Sequence, residues 1–593
     1  MASGRGSARR RRRRRRGRGR GPGRGDGGKR LLVVLGATLL AFLAITGRLV
    51  VLQVVDATSL DQAAARQRLR TIELPADRGR VFDRNGNHLA LSVDARAVYA
   101  QPRLIRDREG TARRLAPLLP RPLGELRKRL NSPAPWVYLA RRVPAASGDA
   151  VARLKLPGIG VLGDTVRSYP SGPLAAQVLG FVDVDGKGLA GVELQYDGLL
   201  HGRSGQIVLE QDPKGRPIPS GQPSKTRRPV PGTDIVLTID QSLQYEAERA
   251  LGQAVRANHA KGGSVVVVAP SSGEVLAMAN LPSYDPNRYA KATREARRNR
   301  AVEDVFEPGS TNKTITAAAA LEAGVVTPGT QLRVPDSLNL CPGVKTFHDS
   351  HRHPMEVLSF ADVVAQSSNV GTIKVASKLG AARLAKAELD FGYGRRTGVD
   401  LPGESPGLVT PAAAWRCTDL GVNAIGQGVA VTVLQAAEVY AAVANGGMLV
   451  PPSLLKGTVD AGGRFQPAQR RPARRVVSER TSRTLTGILQ GVVTGRGTGT
   501  EAALGDWSVA GKTGTARKPN PHGRGYLPGA YMASFIGFAP AEHPAVVVAV
   551  VLDQPTPIFG GVVAAPVFGQ VARYALTRLR VPPTIPARAG PQP

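Results

Sequence analysis

The chain has 593 residues, 42% hydrophobic and 21% charged, which is more than one ordinary domain of globular material and excludes a low-complexity polymer. A formal net charge of +35 points first to a nucleic-acid partner, but 14 Lys and Arg against one Asp fall between Met1 and Arg30, so much of the excess belongs to one short segment. Two cysteines, Cys341 and Cys417, are too few for a disulfide scaffold, and the sequence leaves a bridge and two free thiols equally open.

The Arg- and Gly-rich stretch 1–30 has almost nothing apolar to bury and is expected to be a disordered cytoplasmic tail. Behind it, Leu31 to Gly47 is unbroken in apolar or small residues, followed by Arg48 and Leu49 to Val55. Residues 31–55 therefore predict a single transmembrane helix, since a span needs roughly 17–25 residues and a signal peptide core has only ~7–15. Dense positive charge ahead of the helix keeps the N-terminus cytoplasmic and sends everything after Val55 outside. The arginines then serve orientation and attraction to anionic lipid, and no nucleic-acid partner is expected.

From Asp56 to about Arg70 the helix is expected to continue as a stalk. Asp77 to Gly86 then alternates before Asn85-Gly86, a strong hairpin signal, and His88 to Ser92 reads as the return strand. Pro and Gly punctuation at Asp212 to Pro217 and Arg228 to Gly232 marks a boundary, giving an expected pedestal at 56–229 and a second folded unit at 230–580. That unit is predicted to open with a strand at Asp234 to Asp240, a helix at Gln241 to Ala257, and strands at Val265 to Ala269 and Glu274 to Ala279. It is predicted to close with strands near Ser508 to Lys512, Ala533 to Phe538 and Ala545 to Leu552. Both ends would thus complete one antiparallel sheet flanked by helices, an α+β fold. The tail 581–593 is Pro-rich.

The chemistry gathers at Val305 to Lys313. Pro308-Gly309 breaks the chain, and the alanine-rich run that follows favours helix, so Ser310 is expected at a helix N-terminus. Lys313 falls on the same face, with Cβ atoms about 5–6 Å apart. A serine hydroxyl needs a base to become a nucleophile, and a desolvated lysine can be neutral enough to serve. Ser367-Ser368-Asn369 and Lys512-Thr513-Gly514-Thr515 follow in order, and the three motifs together form the signature of penicillin-binding proteins and class A β-lactamases. Asp77 to Gly86 also resembles the Arg-Gly-x-Ile-x-Asp-Arg-Asn-Gly signature of the non-catalytic domain of class B penicillin-binding proteins, with Val81 in place of Ile. Arg167-Ser168-Tyr169-Pro170 and Gly191 to Asp197 resemble the same domain. The resemblance runs from about Thr71 to about Leu579.

This resemblance implies a serine transpeptidase domain of β-lactamase-like fold behind a mainly-β pedestal. It implies that Ser310 attacks the carbonyl of the penultimate D-alanine of a stem peptide, with Lys313 as base. Ser367 would relay a proton to the leaving amine, and Asn369 would hold the substrate backbone. Lys512 would meet the substrate carboxylate with fixed positive charge and hold Lys313 neutral by repulsion. Gly514 would let the strand approach the substrate, Thr513 and Thr515 would offer hydroxyls, and the backbone N–H groups of Ser310 and Thr515 would form an oxyanion hole. No cofactor or metal is implied; His348, His351 and His353 lack a completing ligand set and read as a polar loop near the cleft. Glu307 reads as a cap or salt-bridge partner, and Gly426-Gln427-Gly428 as a loop before a helix. The basic tail and the Ser310 motif most resemble the division-specific type of high-GC Gram-positive bacteria. That type implies peptidoglycan stem peptides, β-lactams, the membrane, a glycan polymerase of the shape, elongation, division and sporulation family, and other division-complex proteins as partners. An elongation-specific enzyme, an anchored β-lactamase or β-lactam sensor, and a catalytically silent division scaffold are the rival readings. No Glu-x-x-Leu-Asn stretch follows Asn369, which counts against the β-lactamase.

Overall fold

The computed structural model describes residues 27–55, 69–210, 225–495, 497–521 and 523–585. Most of the expected basic tail and stalk, the punctuated loop at Asp212 to Pro217, and the end of the Pro-rich tail lie outside them.

The chain forms two compact units, one of residues 1–73 with 206–227 and one of 74–205 with 228–593. In the first, helix Gly27–Val50 runs on as a wider turn through Val51–Val55, giving 29 residues long and apolar enough to cross a membrane. None of the residues in either segment is buried, which in water would leave an apolar cylinder exposed and which lipid would satisfy. A three-stranded sheet of Leu69–Leu74, Gly205–Glu210 and Lys225–Arg227 completes this unit.

The second unit begins with the expected hairpin, β1 (Val81–Phe82) and β2 (His88–Ala100). Its turn closes because the Asp83 carboxylate accepts the backbone N–H groups of Asn85 and Asn87, each at 2.8 Å, while Gly86 takes a φ of 89°. Strands β3 (Val137–Pro144) and β4 (Ile159–Ser168) pair with β2 on its two edges. Three separate sequence stretches meet at Glu193, which is wholly buried. Its carboxylate accepts Arg78 Nε at 2.6 Å, Arg167 Nε at 2.7 Å and the Tyr169 hydroxyl at 3.3 Å, so a buried charge is matched and hydrogen-bonded.

Strand β5 (Asp234–Leu237) departs from expectation. It pairs in parallel with β1 and antiparallel with a strand from the far half of the chain, Leu455–Val459, and so belongs to the hairpin's seven-stranded sheet. Helix α1 (Gln241–Ala257) follows as expected, capped by Asp240, whose carboxylate accepts the N–H groups of Ser242 and Leu243.

The main sheet is built from β6 (Gly262–Ala269), β7 (Glu274–Leu281), β8 (Ala510–Pro519), β9 (Tyr526–Ala539) and β10 (Val546–Asp553), in the order β7-β6-β10-β9-β8 and antiparallel throughout. Alternation sends Val266, Val268, Val547, Ala549 and Ile536 into one core and Val265, Val267, Val546, Val548 and Phe535 into another. A sheet covered on both faces explains why β6 and β10 read as valine-rich runs with no polar alternation. The Lys512 motif lies on the edge strand, β8.

Candidate active site

Ser310 sits in a single 3-10 turn, Gly309–Asn312, that runs directly into helix α2 (Lys313–Glu322). The turn is held from behind: the Gly309 N–H donates to the Gly426 carbonyl at 2.9 Å, and the Tyr440 hydroxyl donates to the Thr311 carbonyl at 2.9 Å. A Cβ on Gly426 would stand 2.3 Å from the Gly309 carbonyl oxygen, so Gly426 is glycine because the nucleophile turn rests on it.

Lys313 is fully buried. Its Nζ donates to the Ser367 carbonyl at 2.5 Å and to Asn369 Oδ1 at 2.7 Å, with Ser367 Oγ 3.3 Å away. Burial lowers its pKa to about 7, against an opposing pull from the Asp349 carboxylate. A neutral amine has two hydrogens and one lone pair. Three oxygens surround Nζ, one for each hydrogen of the ammonium form, so loss of a proton frees a lone pair while two of these contacts are kept.

Ser367 has a φ of 63°, a conformation that a side chain normally avoids and that turns its carbonyl onto Lys313. Asn369 opens helix α3 (Asn369–Leu379), and its Nδ2 donates to the His348 carbonyl at 2.9 Å. The residue that organises this motif is Asp349. Its carboxylate accepts the Ser368 hydroxyl at 2.8 Å, the Val370 N–H at 3.1 Å and the Asn369 N–H, and meets His353 Nε2 at 3.2 Å. Sequence reading missed Asp349; the only sign was its place in the histidine-rich run taken as a loop near the cleft.

Lys512 is also fully buried, 3.4 Å from the Thr513 carbonyl and hydroxyl. Burial first, and then repulsion from Lys313, holds its pKa well below the usual lysine range. Desolvation is thus the leading cause of the lowered pKa at both amines, with repulsion between them second at Lys512.

Gly514 packs against the nucleophile turn, since a Cβ there would lie 3.0 Å from the Pro308 carbonyl oxygen and 2.3 Å from Ser534 Oγ. Its requirement comes from the protein's own packing. The two threonine hydroxyls are engaged as well: Thr513 Oγ1 lies 2.7 Å from Thr498 Oγ1, and Thr515 Oγ1 accepts the Gly560 N–H at 3.3 Å. Among the described residues Glu307 neither caps the turn nor forms the expected ion pair. Its carboxylate accepts the Tyr526 hydroxyl at 3.0 and 3.2 Å, and burial raises its pKa to about 7. Cys341 and Cys417 form a disulfide with Cα atoms 6.0 Å apart. Among the described residues no group of three His, Cys, Asp or Glu side chains is placed to hold a metal ion.

Residues 263–573 match the family described as penicillin binding protein transpeptidase domain, and residues 73–237 match the penicillin-binding protein dimerisation domain. The chain is 37% identical to penicillin-binding protein PbpB of Mycolicibacterium smegmatis, over 92% of this chain and 89% of the relative. It is 36% identical to the peptidoglycan D,D-transpeptidase FtsI of Escherichia coli, over 93% of this chain and 92% of the relative. Among solved structures, penicillin-binding protein 3 of Mycobacterium tuberculosis in complex with ampicillin superposes with a TM-score of 0.70 at 32% identity, covering 88% of this chain and 98% of that one.

Proposed function

The chain belongs to the class B penicillin-binding proteins, and from that premise we propose that it is a division-type peptidoglycan D,D-transpeptidase that works through an acyl-enzyme on Ser310. The observation that carries this reading is Lys313: a fully buried amine, three residues from Ser310, that is hydrogen-bonded to Ser367 and Asn369 of the second motif and whose pKa burial lowers to about 7.

Ser310 Oγ attacks the carbonyl carbon of the penultimate D-alanine, and its proton passes to Lys313 Nζ. The backbone N–H groups of Ser310 and Thr515 stabilise the oxyanion, each such donor lowering the barrier by about 3 kcal/mol. As the C–N bond breaks, Lys313 returns the proton through Ser367 Oγ to the departing D-alanine amine. An amine from a second stem peptide then attacks the ester carbonyl and gives a proton to Lys313, which passes it to Ser310 Oγ as the C–O bond breaks, and the new amide forms the cross-link. A substrate carboxylate beside Lys512 favours the protonated form of that amine, and the resulting repulsion drives the proton off Lys313 when substrate is in place. Asn369 and Thr515 would orient the peptide, with Thr513 and Gly514 keeping the strand against the turn. A β-lactam reacts by the same route, but its leaving amine stays tethered, so the acyl-enzyme persists.

The apolar helix Gly27–Val55 supports a membrane anchor. We infer that its basic flank sets the N-terminus in the cytoplasm and the transpeptidase outside, where it would meet a glycan polymerase and other division proteins. Labelling with a fluorescent penicillin tests the chemistry: the native chain should hold label for many minutes and Ser310→Ala should hold none. An adduct lost within seconds would instead mark a β-lactamase. Growth and septation supported by Ser310→Ala would mark a scaffold, and a tagged chain found along the lateral wall instead of midcell would mark an elongation enzyme.

A further inference from the structure

The loop between strands Lys345–His348 and Glu356–Ser359 carries His353, whose two ring nitrogens both face acceptors. Nδ1 lies 2.8 Å from the Pro354 carbonyl and Nε2 lies 3.2 Å from Asp349 Oδ2, with a second carboxylate oxygen, Glu356 Oε2, 3.7 Å from Nδ1. A neutral imidazole has one N–H, so in either tautomer its other nitrogen sets a lone pair against an oxygen. The imidazolium donates from both nitrogens and leaves neither opposed. The side chains of His353 and Asp349 are each only 6% exposed, so water offers little relief for such a mismatch. Burial pulls the His353 pKa down, but the Pro354 carbonyl and the two carboxylates outweigh it and hold the pKa above the ordinary 6.5. The other titratable neighbour, the exposed His351, has its ring centroid 5.7 Å away.

What that charge does is set by Asp349. Its Oδ1 accepts the N–H groups of Asn369 and Val370 at the start of α3, and its Oδ2 accepts the Ser368 hydroxyl. Those three donors are neutral, so His353 is where this enclosed carboxylate meets a positive charge. The same carboxylate reaches Lys313 on α2, where its field opposes the burial that lowers the pKa of the amine. A cation against Oδ2 weakens that field and so favours the neutral amine. It also anchors the carboxylate that holds the Ser367 motif, whose oxygens receive Lys313 Nζ.

We propose that His353 is a positioning residue for acyl transfer: as an imidazolium it holds Asp349 against the Ser367 motif and screens the Asp349 charge from Lys313. This role rests on the acyl-enzyme reading above. Full-length protein in detergent, labelled with carbon-13 at histidine Cε1, gives the ring titrations by NMR, and the His353 signal is the one absent from a folded His353→Gln or His353→Arg variant. Its midpoint should lie above pH 6.5 in the native chain and lower in Asp349→Asn. The second readout is the rate of penicillin acylation from about pH 5.5 to 9. In His353→Gln, which can donate to Asp349 but carries no charge, the midpoint of the rise should move up by about half a pH unit, because Lys313 then faces an unscreened carboxylate. His353→Arg keeps the charge and should keep the native midpoint. A side chain that only filled space would change the plateau rate and leave the midpoint in place. A native His353 midpoint at or below 6.5 overturns the proposal. So does a His353→Gln acylation midpoint that stays at the native value, or a shift that His353→Arg shares. A native chain that takes up no penicillin at any pH would overturn the acyl-enzyme reading itself, and this role with it.

Discussion

At the scale of single residues, the proposed base and its support were not equally visible. Ser310, Lys313 and Lys512 announce themselves through spacing, but the reason the Lys313 pKa falls is its enclosure, which no linear pattern displays. Because burial lowers the Lys313 pKa to about 7, the amine gains its free lone pair as pH rises through that value. The second-order rate of acylation by penicillin should therefore climb between about pH 6 and 8 and then level off, and Lys313→Met should lose ~10²–10⁴-fold, as expected on removal of a general base. A flat profile across that range would remove Lys313 from the role. Behind the nucleophile turn, Glu388 is buried, accepts a hydrogen bond from Asn312 Nδ2 at 3.4 Å, and has its pKa raised by burial to about 8. The folded state therefore holds a proton that the unfolded state releases at about pH 4.5, so this group's contribution to stability falls as pH rises from about 4.5 to 8. Glu388→Gln keeps the shape without the titration. Its melting temperature relative to the native chain should improve on going from pH 5 to pH 8, by a few degrees in thermal melts.

At the scale of elements, the Ser367 motif depends on an arm the sequence did not reveal. Strands Ser337–Cys341 and Lys345–His348 form a short hairpin that delivers Asp349 to the start of α3, and the disulfide ties that hairpin to Cys417, next to helix Asp419–Ala424. Two cysteines separated by 76 positions carry no sign of their proximity, so the bridge could not be read from spacing. Closing a loop of that length stabilises by ~4 kcal/mol in the chain-entropy model. Beyond stability, the bridge limits how far Asp349 can drift from the Ser368, Asn369 and Val370 groups it holds. Replacing both cysteines by serine should lower the melting temperature by several degrees and slow penicillin acylation several-fold, with dithiothreitol producing the same two changes in the native chain. Acylation unaffected by either treatment would mean that the arm keeps its place without the bridge. The other elements were largely legible, since the helical period of Gln241–Ala257 and the valine-rich runs of β6 and β10 are plain in the sequence.

At the scale of the whole molecule, the expected border between pedestal and transpeptidase at 229/230 cuts through a shared structure. The alternation at Asp234–Leu237 correctly announces a strand, but nothing in a strand's own residues states which neighbours it will pair with, and β5 joins β1 of the pedestal hairpin. One apolar core runs across that line, with Val81, Leu89, Tyr169, Val178, Val192 and Leu200 packed in the same cluster as Ile235, Val266 and Met278. Polar contacts follow it: the Gln241 N–H donates to Asp83 at 3.1 Å, the Ala175 N–H to Glu248 at 2.7 Å, and Gln177 Nε2 to the Ala296 carbonyl at 2.9 Å. Burying each large apolar side chain is worth about 1.5–3 kcal/mol, so losing several such partners consumes much of a total stability of roughly 5–15 kcal/mol. A truncation to residues 230–580 would also leave β5 as an open, apolar edge. It should aggregate or melt far below a truncation beginning at Leu74, which retains the hairpin and should remain soluble without detergent. Sedimentation velocity and thermal melting of the two chains decide the point. Equal stability and a monomeric 230–580 chain would show that the transpeptidase keeps its fold without the pedestal, and that the shared sheet fixes only the placement of one against the other.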